Sequence, residues 1–189
     1  MFHNAAGATF NAQNDGGFSF FATGSATFTN DGIFNRTIGT GIFNFSGMPF
    51  NNTGNSAGSN GVVTISTGTL QLNLGGTSSG TGASFSVASG AKLQFQSSTY
   101  NLNSPTAVSR AGTTEVSGGT VNFNAGSSLT TAVVNLTNGT LNLVTGSTVT
   151  LPSLTHSFGT LTGTDTVKDR KSTRLNSSHI QKSRMPSSA

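Results

Sequence analysis

The chain contains no cysteine and no tryptophan, and only 7% of its 189 residues are charged. Without cysteine, neither a disulfide nor a thiolate metal site can form. No apolar run approaches the roughly eighteen residues that a membrane-spanning helix needs, so we predict no membrane insertion. Residues 1–7 have neither a basic n-region nor an apolar h-region, so no signal peptide is visible at this end.

Charge is scarce in most of the chain and concentrated near its end. Six of the nine Lys and Arg residues lie within 168–189. Residues 1–167 contain the other three and four acids, so their formal charge is 3 − 4 = −1. The formal net charge of +4 therefore belongs to the tail. Because the rest of the chain carries no basic patch, we predict no nucleic-acid partner.

Residues 169–189 resemble the conceptual translation of a common short-read sequencing adapter. The two halves read Asp-Arg-Lys-Ser-Thr-Arg-Leu-Asn-Ser-Ser-His and Ser-Arg-Met-Pro-Ser-Ser-Ala, and residues 180–182 between them fit the variable index. The resemblance implies that 168–189 is a non-native, disordered tail that makes no contact with residues 1–167. We also expect the chain to be truncated at both ends, with Met1 internal to a longer protein. The alternative is a basic, serine-rich arm that binds nucleic acid or an acidic surface.

A repeated phrase dominates the rest of the chain. Gly-Thr-Val-Asn-Phe at 119–123 is followed by Gly-Thr-Leu-Asn-Leu at 139–143 and Gly-Thr-Leu-Thr at 159–162, at intervals of 139 − 119 = 20 and 159 − 139 = 20 residues. Alternate apolar residues predict a short strand with one buried face, and the preceding glycine suits a corner. One such unit cannot cover its own apolar face, whereas a stack of copies can.

We therefore predict that residues 5–167 form an all-β parallel β-helix of about seven or eight coils, roughly 35 Å long at the usual strand spacing. An antiparallel sandwich is the alternative. We expect these side chains to point inward: Leu70, Leu72, Leu93, Phe95, Val121, Phe123, Leu141 and Leu143. We expect these to point outward: Gln71, Gln94, Asn122 and Asn142. Residues 48–60 are predicted to be a loop because they form a polar run, and residues 97–105 because they lie in the longer interval of 119 − 90 = 29 residues between two corner glycines, which indicates an insertion.

Three phrases resemble the repeat coils of large secreted bacterial proteins. They are Phe-Ser-Val-Ala-Ser-Gly-Ala-Lys-Leu at 85–93, Val-Ser-Gly-Gly-Thr-Val-Asn-Phe at 116–123 and Leu-Thr-Asn-Gly-Thr-Leu-Asn-Leu at 136–143. The proteins they resemble are autotransporter passengers and filamentous-haemagglutinin-like adhesins. The resemblance implies a right-handed helix and an extracellular or bacterial cell-surface location. It also implies a passive structural or adhesive role, with an extracellular glycan or surface protein and neighbouring coils of the full-length chain as partners.

The sequence predicts no catalytic, cofactor-binding or metal-binding residue. Asn-Asp-Gly at 14–16 and 30–32 is ordinary turn chemistry and lacks the ligand spacing of a calcium loop. Polysaccharide lyases and hydrolases with β-helix folds need clustered acids, whereas the acids here are far apart in sequence. We expect Glu115 to form a surface ion pair with Arg110, and no motif marks a nucleophile for His156 and Asp165. A polysaccharide-active enzyme remains the alternative, with Arg36, Lys92 or Arg110 beside two acids.

Thr120, Thr140 and Thr160 occupy one position in successive coils, so we predict that they stack in a column. Regular threonine columns on a flat face can bind ice. Ice binding usually requires a Thr-x-Thr pair in each coil, whereas the residue two places on is Asn122, Asn142 or Thr162. Stacked threonine is also favourable strand chemistry. Ice binding is therefore the less favoured alternative, and the Asn122–Asn142 pair is interpreted as structural.

Overall fold

The computed structural model describes residues 1–19, 26–54, 61–169 and the backbone of 172–174. These ranges contain strands and turns but no helix, and hence no helix that could span a membrane. The strands are β1 Phe2–Asn4, β2 Thr9–Ala12, β3 Gly17–Phe18, β4 Phe28–Asn30, β5 Ile33–Arg36, β6 Ile42–Phe45, β7 Phe50–Thr53, β8 Val62–Ile65, β9 Thr69–Leu72, β10 Gly76–Ser79, β11 Ser84–Val87, β12 Lys92–Phe95, β13 Thr99–Leu102, β14 Ala107–Val116, β15 Thr120–Phe123, β16 Ser128–Leu136, β17 Thr140–Leu143, β18 Val149–Leu151, β19 Leu154–His156, β20 Thr160–Gly163, β21 Val167–Asp169 and β22 Ser172–Arg174.

The strands wind into a parallel β-solenoid of about seven turns, which confirms the predicted fold. Every recorded strand pair is parallel, so the antiparallel sandwich is excluded. Face 1 stacks β1, β4, β7, β10, β13, β15, β17 and β20. Face 2 carries β2, β5, β8, β11, the first halves of β14 and β16, and then β18 and β21. Face 3 carries β3, β6, β9, β12, the second halves of β14 and β16, and then β19 and β22.

The repeated phrase falls in register from coil to coil. Thr120 pairs with Thr140, and Thr140 pairs with Thr160. The glycine before each strand lies where two corners stack closely. Gly139 has a φ of +78°, and a Cβ built there would lie 2.4 Å from the carbonyl oxygen of Gly119. Only glycine combines that left-handed conformation with so close an approach of two backbones, so it recurs at the period of the coil.

The interior is a continuous apolar core, and every residue predicted to point inward is buried. In the first coils this core consists of phenylalanine rings stacked along the axis. Phe28 is stacked between Phe2 and Phe50, with ring centroids 4.8 Å and 5.4 Å apart. Equivalent positions of successive coils lie about one strand spacing apart, so inward rings at one position must stack.

A buried asparagine ladder, which the sequence analysis missed, runs beside these rings. It consists of Asn4, Asn30 and Asn52, all of which point inward and are buried. Asn4 Nδ2 donates to Asn30 Oδ1 at 2.7 Å, and Asn30 Nδ2 donates to Asn52 Oδ1 at 2.9 Å. The ladder continues through Ser78 to Thr106, whose hydroxyl donates to that of Ser78 at 3.1 Å. These bonds provide partners for side-chain amides that would otherwise be costly to bury.

Both predicted loops are wrong over part of their length. Phe50–Thr53 forms β7, and Thr99–Leu102 forms β13; residues 55–60 lie outside the described residues. Each strand is polar in composition, yet two of its side chains point inward. Phe50 with Asn52, and Tyr100 with Leu102, are buried at alternate positions, and this burial makes both segments part of face 1.

The expected boundary at residue 167 also needs correction. Lys168 and Asp169 belong to β21, which pairs with β18, and β22 at Ser172–Arg174 pairs with β19. The expectation that the tail makes no contact with the preceding coils is therefore wrong for these residues. The free edges of β18 and β19 pair with β21 and β22, as a parallel edge does with the next coil. Residues 170–171 and 175–189 lie outside the described residues.

Tyr100, the single tyrosine of the chain, is packed into the core between Phe85 and Phe95. It is 1% exposed, and its hydroxyl has no hydrogen-bond partner among the described residues. Burial raises the pKa of its phenol well above the ordinary value, because the phenolate would lose its hydration.

We expect Tyr100→Phe to be neutral or to stabilise the protein by about 1 kcal/mol at pH 7, because it removes an unpaired buried hydroxyl. Because the pKa of Tyr100 is higher in the folded state than the unfolded-state value of about 10, unfolding above that pH releases a proton. Wild-type stability therefore falls as the pH rises above about 10, whereas the phenylalanine variant has no phenol proton to lose. The variant should therefore lose less stability than wild type between about pH 9 and 11. Urea unfolding followed by circular dichroism measures both effects. A clear destabilisation at pH 7 would show that the hydroxyl has a hydrogen-bond partner.

Candidate functional site

Two columns of polar side chains on the outer side of face 1 form its most regular surface. The threonine column consists of Thr99, Thr120, Thr140 and Thr160, in register through β13, β15, β17 and β20. Thr120 and Thr140 are half-buried, and the two end members are exposed. The predicted stacking of Thr120, Thr140 and Thr160 is confirmed. Thr99 was missed because its segment was assigned to a loop.

The asparagine column lies two residues further along each strand and consists of Asn101, Asn122, Asn142 and Thr162. Asn142 Nδ2 donates to Asn122 Oδ1 at 3.0 Å, and Asn122 Nδ2 donates to Asn101 Oδ1 at 2.8 Å. Asn122 thus uses one N–H and one lone pair along the axis, whereas Asn142 donates one such bond and Asn101 accepts one. The second N–H and the second lone pair of Asn122 are available to a partner. The column confirms the structural interpretation of Asn122 and Asn142 and adds an uncharged hydrogen-bonding surface.

Arg36 is buried in the structure, away from any outer surface. Its guanidinium lies 6.0 Å from the ring centroid of Phe43 and donates to the carbonyl oxygens of Asn14, at 2.8 Å, and Ile38. It also donates to the carboxylate of Asp15, on the preceding coil. These contacts hold the corner between the first two coils together. Arg36 therefore has a structural position and does not reach a groove where it could meet a substrate.

Lys92 and Glu115 form an ion pair on the outer side of face 3. Lys92 Nζ lies 2.8 Å from Glu115 Oε2, and Gln94 Nε2 donates to Glu115 Oε1 at 2.6 Å. The predicted pairing of Glu115 with Arg110 is therefore wrong. Register places Gln94 opposite Glu115, and Lys92, two residues before Gln94, reaches the carboxylate, while Arg110 lies at the bulge between faces 2 and 3.

Gln94 points outward, as predicted, and accepts a hydrogen bond of 2.6 Å from Gln71 Nε2. Gln71 also occupies an outward position, yet only 8% of it is exposed. The expectation that it faces solvent needs correction, because the neighbouring long side chains of the same row cover it.

The four acids of residues 1–167 contact four different partners. Asp15 pairs with Arg36, and Glu115 pairs with Lys92. Asp31 Oδ2 lies 2.6 Å from His3 Nε2. The fourth acid, Asp165, binds a turn on the preceding coil. Within the described part of the chain, no three His, Asp or Glu residues lie close enough together to hold a metal ion.

Asp165 binds the turn at Thr145 and Gly146. Its Oδ2 accepts from the N–H and the hydroxyl of Thr145, both at 2.7 Å, and its Oδ1 accepts from the N–H of Gly146 at 3.0 Å. Desolvation raises its pKa, but these hydrogen bonds together with one from the N–H of Ser147 outweigh it, so the pKa lies below its ordinary value. The carboxylate is therefore a charged turn cap. His156 binds the carbonyl oxygen of Gly159 instead of Asp165.

Comparisons with protein-family models, with curated proteins and with solved structures found no match. The functional interpretation therefore depends on the geometry. That geometry provides a long, uncharged outer surface on face 1 and, among the described residues, acids that contact separate partners.

Proposed function

We propose that this chain is a passive structural and adhesive segment of a secreted or surface-displayed repeat protein. The observation that carries the proposal is the pair of in-register columns on face 1. A solenoid repeats the same surface at each coil, so a short sequence motif provides a long contact area. Hydroxyl and amide groups without net charge suit an extracellular glycan or the polar surface of another protein. The resemblance of the repeat phrases to bacterial adhesins supports the same role and location.

The positions of the acids support a non-catalytic role. Glycoside hydrolysis requires two carboxyl groups within about 10 Å of each other on either side of the scissile bond. Asp15 lies in the first coil, Glu115 on face 3 and Asp165 at a corner after β20, and each contacts a different partner. Of the three bases considered, Arg36 is buried and Lys92 is paired with a single acid.

Adhesion can be tested with beads that carry the protein, by measuring their retention on surfaces coated with neutral polysaccharide or with glycoprotein. We expect retention of wild-type beads and a loss of at least about fivefold for Thr120→Lys/Thr140→Lys, because two ammonium groups then interrupt the uncharged surface of face 1. Thr64→Lys/Ser86→Lys is the matched control, since these two residues are in-register neighbours on the outer side of face 2.

Two outcomes would contradict the proposal. Equal retention of the two double variants would show that face 1 does not carry adhesion, and no retention of wild type would remove the adhesive role altogether. The supernatant of the same assay should contain no newly released reducing sugar. Its appearance with wild type, and its loss on Glu115→Gln or Asp165→Asn, would instead support the alternative of a polysaccharide-active enzyme.

One observation favours a second candidate function, ice binding. The threonine column presents in-register hydroxyls on four successive strands. However, the neighbouring column is made mostly of asparagines whose amides are bonded to one another, so a regular Thr-x-Thr array is absent from these strands except at Thr160 and Thr162. A thermal-hysteresis measurement distinguishes the two functions, and we expect no hysteresis.

A further inference from the structure

The sheet on face 2 is interrupted between two successive coils. β16 pairs with β14 on one side and, in its second half, with β19. β18 pairs only with β21 and forms a separate two-stranded sheet. No ladder therefore joins the first half of β16 to β18, although both strands lie within the described range 61–169. The N–H of Ser128 donates to the carbonyl oxygen of Thr106, on the side of β16 away from β18. The N–H of Val149 donates to the carbonyl oxygen of Thr166, on the side of β18 away from β16. Because alternate residues of a strand direct their peptide groups to opposite sides, those of Leu129 and Thr150 face the gap.

The gap is closed at both ends by backbone hydrogen bonds. Gly126 N–H donates to the carbonyl oxygen of Thr145 at 2.9 Å, and Val134 N–H donates to that of Ser153 at 2.9 Å. On the inside, the buried side chains of Leu129 and Val149 separate it from the solvent-free core. A peptide strand would have to widen the gap by about one strand spacing, which these two bonds oppose. The occupant must therefore enter from the outer side and be small or narrow.

The lining of this gap consists almost entirely of hydroxyl side chains. A groove of about 320 Å³ lies here, near the lower limit of about 300 Å³ for small-molecule sites. We call it the hydroxyl slot, and its lining residues are Ser127, Ser128, Leu129, Thr130, Thr145, Ser147, Thr148, Val149 and Thr150. Thr130, Thr148 and Thr150 are exposed, so their hydroxyl groups are accessible from outside.

Charge around the slot is balanced. None of its lining residues is charged. Asp165 binds the turn at one end through Thr145, and Lys168 is exposed on the neighbouring strand, in register with Thr150. One acid and one base therefore flank the slot, which favours a neutral ligand with many hydroxyl groups over an anion or a cation. The peptide N–H and C=O groups of Leu129 and Thr150, which face the slot, can bond such hydroxyls in either direction.

We propose that the hydroxyl slot is a binding site for a neutral saccharide unit, one or two sugar rings in length. Hydroxyls of Thr130, Thr148 and Thr150 and the peptide groups of Leu129 and Thr150 contact the sugar. The site is separate from face 1, and this proposal does not depend on the adhesion proposed for that face. It differs from the face 1 surface in being a single discrete site, with a stoichiometry of one per chain.

The test is a titration of ¹⁵N-labelled protein with neutral trisaccharides (maltotriose, cellotriose and mannotriose) and with trigalacturonate as the charged comparison. We expect saturable shifts of the Leu129 and Thr150 amides with at least one neutral trisaccharide and none with trigalacturonate. Thr130→Val/Thr150→Val should raise the Kd at least about tenfold, since it removes two hydroxyls and keeps the β-branched shape. Thr64→Val/Ser86→Ala, on the outer side of face 2 in β8 and β11 and outside both the slot and the columns of face 1, should leave the Kd unchanged.

A second variant, Thr148→Lys, fills the slot with a long charged side chain at an exposed position and should abolish the shifts while amides elsewhere keep their wild-type positions. The proposal is overturned if no neutral trisaccharide shifts the slot amides at millimolar concentration. It is also overturned if the shifts persist in both slot variants. Neither result affects the bead assay, which depends on face 1 variants, so failure of the slot is distinguishable from failure of the adhesive function.

Discussion

Phe45→Ala should destabilise the first coils by about 3–5 kcal/mol, the usual cost of truncating a fully buried aromatic side chain. Phe45 is completely buried, and its ring contacts those of five others. Their centroids lie 4.8–5.8 Å from it: Phe18, Phe28, Phe34, Phe43 and Phe50. No neighbouring side chain can move to fill the space without leaving its own stack, so the cavity persists.

The loss should be local, because each coil of a solenoid contacts only its neighbours. Circular dichroism reports all coils, whereas tyrosine fluorescence reports only Tyr100, which lies in β13. In urea, we expect the two signals to change together for wild type. For Phe45→Ala the dichroism should change at a lower urea concentration than the fluorescence.

Phe45→Leu is the matched control, since it keeps most of the apolar volume, and it should cost less than half as much. If Phe45→Ala moved both signals equally, the stack would be part of one cooperative unit extending at least to β13.

The coil was predictable from the sequence because three features that it requires occur together in each copy of the repeated phrase. A strand alternates, a close corner needs glycine, and identical positions stack. Gly139, Thr140 and Leu141 meet these requirements in a single phrase, and the structure places them in register with the coils on either side. The number of residues per coil could therefore be predicted from the spacing of the repeated phrase wherever the corners carry no insertion.

Two buried polar features had a signal that was overlooked. Asn30 is two residues from Phe28, and Asn52 is two residues from Phe50, so strand alternation places each asparagine on the inward side with its phenylalanine. The same applies to Arg36 and Phe34. The polarity of the two asparagines led to Asn30 being assigned to a turn and Asn52 to a loop, whereas alternation indicates an inward position in a strand. In these coils, hydrogen bonds along the axis and to backbone carbonyls make the inward position possible.

Other features depend on tertiary structure and leave no pattern in the sequence. Whether β18 pairs with β16 depends on how the corners at Thr145 and Ser153 position it, and the local sequence of β18 alternates like that of any paired strand. Likewise, the partner of Glu115 depends on coil register, which places Gln94 of the preceding coil opposite Glu115 and Lys92 two residues earlier, within reach of the carboxylate. A residue near in sequence, Arg110, lies at a bulge and does not form the predicted pair.

Asn52→Asp replaces one amide NH₂ group by an oxygen and should destabilise the protein by more than about 3 kcal/mol at pH 7. Asn52 is fully buried, and its Nδ2 donates to the carbonyl oxygen of Gly61 at 2.6 Å and to Ser78 Oγ at 3.3 Å. A carboxylate donates nothing, and it would direct negative charge at the Gly61 carbonyl. The amide of Asn30 would still find an acceptor, so the cost arises mainly on the Gly61 side.

The cost should depend on pH in a defined direction. Burial raises the folded-state pKa of the new carboxyl group above its unfolded value of about 3.9, so the protonated form is the one the fold tolerates. Stability relative to wild type is therefore highest below that unfolded value and falls as the pH rises through the folded-state pKa. Urea midpoints of variant and wild type, measured in parallel at about pH 3 and pH 7, should differ much less at the lower pH.

Asn122→Asp provides the matched control, because Asn122 belongs to a hydrogen-bonded column of the same kind on the outer side of face 1. Its carboxylate would remain hydrated, so we expect a loss of only about 0.5–1 kcal/mol and little change with pH. Equal losses at the two positions would show that burial of the inner ladder does not determine its energetic contribution. A larger loss for Asn52→Asp that disappears at low pH would attribute the difference to the buried charge.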